Sequence, residues 1–146
     1  MKQRDVNESA FRLGFVYTPQ IVDTKGRVTW EGEPQTNLIP QVGIDHLVGL
    51  LRGSGSLISN WYVGVYEGNY VPTSATTASD LPTNALESVA YSEAARPVWN
   101  NTYDGVSVIT SLASRAEFTF TADKRLYGAF LVSASIKGSG SGTLLS

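Results

Sequence analysis

Asn60-Trp-Tyr-Val-Gly-Val-Tyr-Glu-Gly-Asn-Tyr70 places four aromatic residues and a run of alternating small apolar ones in eleven positions. Successive side chains of a strand point to opposite faces. The stretch therefore reads as a central β-strand with Trp61, Val63 and Val65 on one side and Tyr62, Gly64 and Tyr66 on the other, closed by a Glu67-Gly68-Asn69 turn. Trp61, Val63 and Val65 are assigned to the core on this phase. Nothing in the stretch is a catalytic motif.

Before this strand the period changes. Ile44, Leu47, Val48 and Leu51 recur at helical spacing on one face, Pro40 suits the first turn and Gly53 the left-handed position just past the end, so one short helix is predicted over about residues 40–52. Gly43 and Gly49 inside it each cost about 1 kcal/mol against Ala, which close packing against a sheet would explain. Upstream, Leu13, Phe15 and Tyr17 alternate with Gly14, Val16 and Thr18 in a first strand ended by Pro19. Asp23-Thr24-Lys25-Gly26 is a turn leading into a strand from Arg27 to Trp30, which makes a hairpin. Residues 1–10 are polar and charged and read as a flexible arm.

After the central strand, Val71 to Asn84 is rich in Thr, Ser, Ala and Pro with Asp80 its only charge, and is expected to be a long ordered loop. Interface cores are depleted in charge, so Val71, Thr76, Ala78 and Leu81 are named as candidate contacts with other protein. Glu87 to Tyr91 is a possible short strand. Trp99 is read as a core residue or a stacking partner of Arg96, and Asp104-Gly105 as a turn into a strand from Val106 to Leu112. Ala116, Phe118 and Phe120 alternate with polar residues, and a turn at Ala122 to Arg125 leads to Leu126 through Val132, so these two strands are expected to pair as a hairpin, with Phe118, Phe120 and Phe130 in the core. The Gly/Ser-rich tail, residues 137–146, reads as a flexible bend followed by a last short strand at Leu144 and Leu145. With Arg4 and Phe11, these two leucines complete the candidate interface set. The architecture predicted is all-β, a jelly-roll-like antiparallel β-sandwich formed by a single domain over residues 11–146.

Composition narrows the chemistry. The chain has 146 residues, enough for one domain that buries about 70% of its unfolded surface. It has no cysteine and one histidine, His46, which removes thiol nucleophiles and Cys- or His-rich zinc sets; no metal clamp or cofactor is expected, with an Asp/Glu-only cation site the one alternative left open. His46 adjoins Asp45, but neighbouring helix residues point about 100° apart, a poor start for acid/base work. Eleven Lys and Arg stand against 13 Asp and Glu without clustering, for a net charge of -2, so neither a nucleic-acid groove nor a membrane association is expected.

Five stretches taken in order resemble small structural proteins of tailed bacteriophages, of the capsid cement or decoration type. They are the Asn60–Tyr70 strand, Tyr91-Ser-Glu-Ala-Ala-Arg-Pro-Val-Trp-Asn100, Glu117-Phe-Thr-Phe-Thr121, Tyr127-Gly-Ala-Phe-Leu131, and Lys137 through the Gly-rich tail to Leu-Leu-Ser146. Val65 stands where the family pattern has Leu. The likeness spans roughly residues 37–146 and leaves the first 36 uncovered. It implies a jelly-roll protein, not an enzyme, made in the host cytoplasm and carried on the outside of the phage head, where it binds the major capsid protein and self-associates as a homo-oligomer. Two alternatives stay open. A tail or fibre module binding host glycans would use Trp99 and Tyr103 with Asn100 or Asn101, and a glycan-cleaving enzyme would use a carboxylate pair such as Glu87 and Glu93.

Overall fold

Turn chemistry builds the first part of the chain. The computed structural model describes residues 13–146, which divide into two units, one ending at Asn37 and the other running from Leu38 to Ser146, where sequence led to one domain. The predicted arm at residues 1–10 lies outside the described residues. In the first unit, β1 (Phe15–Tyr17) pairs antiparallel with β4 (Gln35–Asn37), and β2 (Gln20–Val22) pairs with β3 (Val28–Glu31). The registers run on from one pair to the next, Phe15 opposite Asn37 and Gln20 opposite Glu31, so the four strands make one long hairpin ribbon. It is interrupted at Pro19, which has no N–H to give, and held there by Gly32 N–H donating to Pro19 O at 2.9 Å.

The turn at the far end is the one expected. Asp23 Oδ1 accepts from the backbone N–H groups of Lys25 and Arg27 at 2.8 and 2.9 Å, its Oδ2 pairs with the Arg27 guanidinium at 2.7 Å, and Gly26 takes φ 76°. An equivalent turn recurs in the second unit, where Asp104 Oδ1 accepts from Val106, Ser107 and Val108 and Gly105 takes φ 81°. The Arg27 N–H and guanidinium hold the Asp23 carboxyl below its ordinary 3.8, and the backbone N–H groups of Val108, Val106 and Ser107 do the same for Asp104. A carboxyl with a depressed folded pKa stabilises fully above its unfolded value and loses that contribution as pH falls through the folded one. Both turns should therefore hold at neutral pH and loosen only in acid. Carboxyl NMR titration should give midpoints below 3.8 for both residues, and a midpoint at or above that value would show that these hydrogen bonds do not persist in solution.

The second unit starts with α1 (Gln41–Leu51). Pro40 sits at its N-cap, one position ahead of the first turn, and Gly53 closes it at φ 69° with its N–H on Leu50 O. The two helix glycines mark close approaches. A Cβ on Gly43 would lie 2.9 Å from Leu145 O and 3.0 Å from Leu144 O, and one on Gly49 would lie 3.4 Å from Gly55 Cα.

β5 (Tyr62–Tyr66) is the predicted central strand, and it takes as its partner the strand that was expected to pair elsewhere. The chain continues through α2 (Asp80–Thr83), β6 (Thr102–Tyr103) and β7 (Ile109–Thr110) to β8 (Gly128–Val132), and β8 pairs antiparallel with β5 over five residue pairs. The expected hairpin between residues 116–121 and 126–132 does not form; Phe120 bridges Tyr91 instead. The reason is steric. Gly64 lies opposite Phe130 and Gly128 opposite Tyr66, so each aromatic ring covers the place where its partner would carry a side chain. Glu87 and Val98 bridge onto the outer edge of β5, and Leu144 onto the outer edge of β8. The described residues are thus β-rich, with small antiparallel sheets and short helices.

Both faces of β5 are covered. Val63, Val65 and Tyr66 are buried, and the core around β5 and β8 adds Ala78, Leu81, Ala85, Phe130, Val132 and Leu144. Three core assignments need correction. Trp61 is only half-buried, its ring edge-on to His46 at 5.5 Å, because it lies just outside the paired part of β5. Phe118 is half-buried and Phe120 exposed, since the segment that carries them clusters with Tyr91 at the margin instead of pairing with β8. The Val106 to Leu112 strand shrinks to the two residues of β7.

Candidate functional site

At the centre of the second unit lies a buried ion pair. Arg96 Nε and Nη2 donate to the two oxygens of Glu87 at 2.8 and 2.6 Å, and both side chains are fully buried. The other donors of Arg96 reach backbone carbonyls, Ala134 O at 2.8 Å and Ser139 O at 2.7 Å, while Gly138 N–H donates to Glu87 Oε2 at 3.0 Å. The guanidinium also lies over the Phe130 ring, 5.4 Å from its centroid, which is the stacking role considered for Trp99. Pro97 holds the chain extended beside this node, so that Val63 N–H donates to Pro97 O and the Arg96 side chain is aimed inward.

Arg96 and Glu87 therefore clasp the Gly/Ser-rich segment. That segment is not a free linker. Lys137 donates to Tyr91 O and Glu93 O at 2.7 Å each, with its Nζ 4.3 Å from the centroid of the Tyr91 ring, and a Cβ on Gly140 would come within 3.0 Å of Ser79 Cα. Beyond it, Leu145 N–H donates to Leu131 O and Leu131 N–H to Ser146 O, which docks the predicted last strand on β8. The hydroxyl of Tyr91 is buried with no hydrogen-bond partner among the described residues, and burial, reinforced by the Glu87 carboxylate, pushes its pKa up to about 12.

This geometry separates Glu87 from Glu93. Both Glu87 oxygens are committed to Arg96, whereas Glu93 accepts from Thr119 N–H at 3.1 Å. Burial raises the Glu93 pKa, but the Thr119 bonds and Lys137 outweigh it and hold the carboxyl below its usual range. The two do not face a common space as an acid and a base. Of the residues considered for sugar stacking, Tyr103 is exposed but its hydroxyl donates to Val106 O at 2.8 Å, Asn101 donates to Trp99 O at 3.2 Å, and Trp99 is half-buried. Asp45 and His46 line a shallow groove with Val42, Thr77, Ala78, Gly142 and Thr143.

The candidate interface set divides sharply. Val71 is exposed as expected. Thr76, Ala78, Leu81, Leu144 and Leu145 are buried within the chain and cannot meet a partner, because the low charge of the Val71 to Asn84 loop serves its own packing. Thr76 Oγ1 lies 2.9 Å from Tyr70 Oη and accepts from Thr73 N–H at 2.9 Å, and Asp80 Oδ2 accepts from Thr77 N–H at 2.8 Å, which orders the loop from inside. Arg4 and Phe11 lie outside the described residues.

Much of the exposed apolar surface lies on two hairpins outside the candidate interface set. No described residue up to Asn37 is buried, and Val16 is 64% and Trp30 51% exposed on the ribbon. Ile21 and Trp30, directly paired across β2 and β3, form an apolar patch on one face of it. In the second unit the β6 and β7 hairpin exposes Tyr103, Val106, Val108, Ile109 and Leu112. A signal for both was present: each is a short hairpin whose β-branched and aromatic residues flank a tight Asp/Gly turn, with too few residues to cover its own faces. Compared with protein-family models, with curated proteins and with solved structures, the chain shows no significant match in any of the three.

Proposed function

We propose that this chain is a bacteriophage virion protein that binds the outside of the head as a capsid cement, and that its second unit is a jelly-roll-like antiparallel β-sandwich. The observation that carries the functional reading is the ribbon of residues 15–37, in which no residue is buried and Val16, Ile21, Val28 and Trp30 are exposed. A two-stranded hairpin of this kind is marginal by itself in water and gains stability when its apolar side chains are covered by other protein. Cement acts through such contacts repeated over a shell. A ligand that binds the assembled shell but not free subunits contributes about 2.7 kcal/mol per site at a hundredfold excess over Kd, and many sites multiply it. The sandwich reading draws support from β5 and β8, whose pairing is extended on both outer edges by Glu87, Val98 and Leu144.

The partner is the major capsid protein, met through the ribbon. Ile21→Asp with Trp30→Asp should leave the second unit folded, since neither side chain is buried, and should lower shell binding at least tenfold. The test is localisation and copy number in purified virions, with heat resistance of decorated and stripped heads compared. Finding the protein only at the tail tip, or heads equally stable without it, would rule the cement role out.

A further inference from the structure

We propose that the backbone edge of residues 117–121 is a docking site for an extended segment of another protein, which adds to it as an antiparallel strand; the proposal does not depend on the capsid reading. Residues 119–121 lie antiparallel to residues 90–92. Ser92 N–H donates to Thr119 O and Thr121 N–H to Ala90 O, both at 2.9 Å, and Thr119 N–H goes to the Glu93 carboxylate. Tyr91 and Phe120 face each other between these bonds. A strand turns alternate backbone groups to opposite sides, so the N–H and C=O of Phe118 and Phe120 point away from residues 90–92, and among the described residues neither makes a backbone hydrogen bond. Glu117, Thr119, Phe120 and Thr121 are exposed, which leaves this side open. Edges are ordinarily guarded by Lys, by Pro or by covering chain, and residues 116–121 contain neither Lys nor Pro.

Three features define the occupant. The outward N–H and C=O pairs of Phe118 and Phe120, two residues apart, match the backbone of an extended peptide. On one face the Phe118 and Phe120 rings stack at 27° with centroids 6.2 Å apart, and both meet Tyr91 edge-on, at 5.1 and 6.2 Å. Phe118 is only half-buried and Phe120 is exposed, so this aromatic shelf has surface left for two apolar side chains of an added strand, one opposite each phenylalanine. On the other face Glu117 is exposed and has no salt bridge among the described residues, which calls for Lys or Arg opposite it. In antiparallel register the segment therefore runs polar, apolar, polar, apolar, basic. The one stretch of this chain with that order, Ser133-Ala-Ser-Ile-Lys137, is already committed, with Lys137 on the Tyr91 and Glu93 carbonyls, so the segment comes from another protein.

The probe is a synthetic acetyl-Thr-Val-Thr-Val-Lys-amide peptide, titrated into the full chain and followed by NMR. Its two valines exchange hydrogen bonds with Phe120 and Phe118. Binding should shift the Phe118 and Phe120 amides and slow their hydrogen exchange, while the Thr121 amide, already bonded inward, keeps its protection. N-methylation of both valines removes the donors that face the edge and should weaken binding about tenfold or more, whereas N-methylation of both threonines should leave it within about twofold. Glu117→Lys should lower affinity for the Lys peptide about two- to fivefold and raise it for the same peptide ending in Glu. The melting temperature of that variant should stay unchanged, because Glu117 is exposed. No saturable binding at about 1 mM peptide, equal weakening by the two methylation patterns, or a Glu117→Lys chain that still prefers the Lys peptide would each overturn the proposal. So would Phe118 and Phe120 amides whose protection rises with protein concentration alone, which would assign the edge to a second copy.

Discussion

Arg96→Met should lower the unfolding free energy of the second unit by about 3–5 kcal/mol, the range expected when one member of a buried ion pair is removed and the other is left without its counter-charge. Here Glu87 would be stranded where its side chain is fully buried, and Ala134 O and Ser139 O would lose the donors that hold the Gly/Ser segment. The Glu87→Leu and Arg96→Met double variant should recover part of the loss but not all of it, since those carbonyls and Gly138 N–H stay unpartnered. Equilibrium denaturation gives the magnitude, and limited proteolysis between Lys137 and Gly142 gives the location. A loss under about 1 kcal/mol, or a segment no more cleavable than in wild type, would mean that the clasp contributes little.

Phe130→Ala should cost a similar amount, about 3–5 kcal/mol, because its ring is buried, fills the space above Gly64 and carries the Arg96 guanidinium on one face. The opposite change tests the same contact. Gly64→Ala places a methyl where the Phe130 ring sits, and overpacking of this kind costs about 1–3 kcal/mol. Combining Gly64→Ala with Phe130→Leu should therefore cost less than the sum of the two single changes. Strict additivity in that cycle would show that the ring and the glycine do not touch.

That pairing was legible in the sequence and was missed. Gly64-Val65-Tyr66 and Gly128-Ala129-Phe130 are the same Gly-x-aromatic pattern, and two such triplets laid antiparallel set each glycine against the other's ring. Turn residues near Phe118 and Leu126 suggested a local hairpin instead, and local turn chemistry says nothing about which distant strand offers the better fit. Where chemistry is local, sequence and structure agree: the Asp23 turn, the helix closed by Gly53 and the docking of Leu144. Thr76, Ala78 and Leu81 were placed at an interface for a related reason. Threonine and alanine in an uncharged loop fit a surface awaiting a partner as well as a loop folded on its own core, and it takes contacts such as Tyr70 with Thr76 to separate the two. The clasp was hidden because Arg96 and Glu87 look like ordinary surface charges until the fold brings Ser139 and Gly138 around them. Arg96 there touches both Phe130 and the Gly-rich segment.

The antiparallel match of β5 with β8 also sets an order of events during synthesis. The ribbon closes over the short Asp23 to Arg27 turn and can form soon after it is made, but Val63 has no Leu131 to pair with until most of the chain has been translated. Through that interval Val63, Val65 and Tyr66 stay uncovered, and Arg96 waits still longer for Ser139. A chain cut short before β8 consequently cannot bury its central strand. Interrupted synthesis yields a fragment open to proteolysis, with the ribbon made but the second unit left without its core, so nearly complete translation is a precondition for a folded second unit.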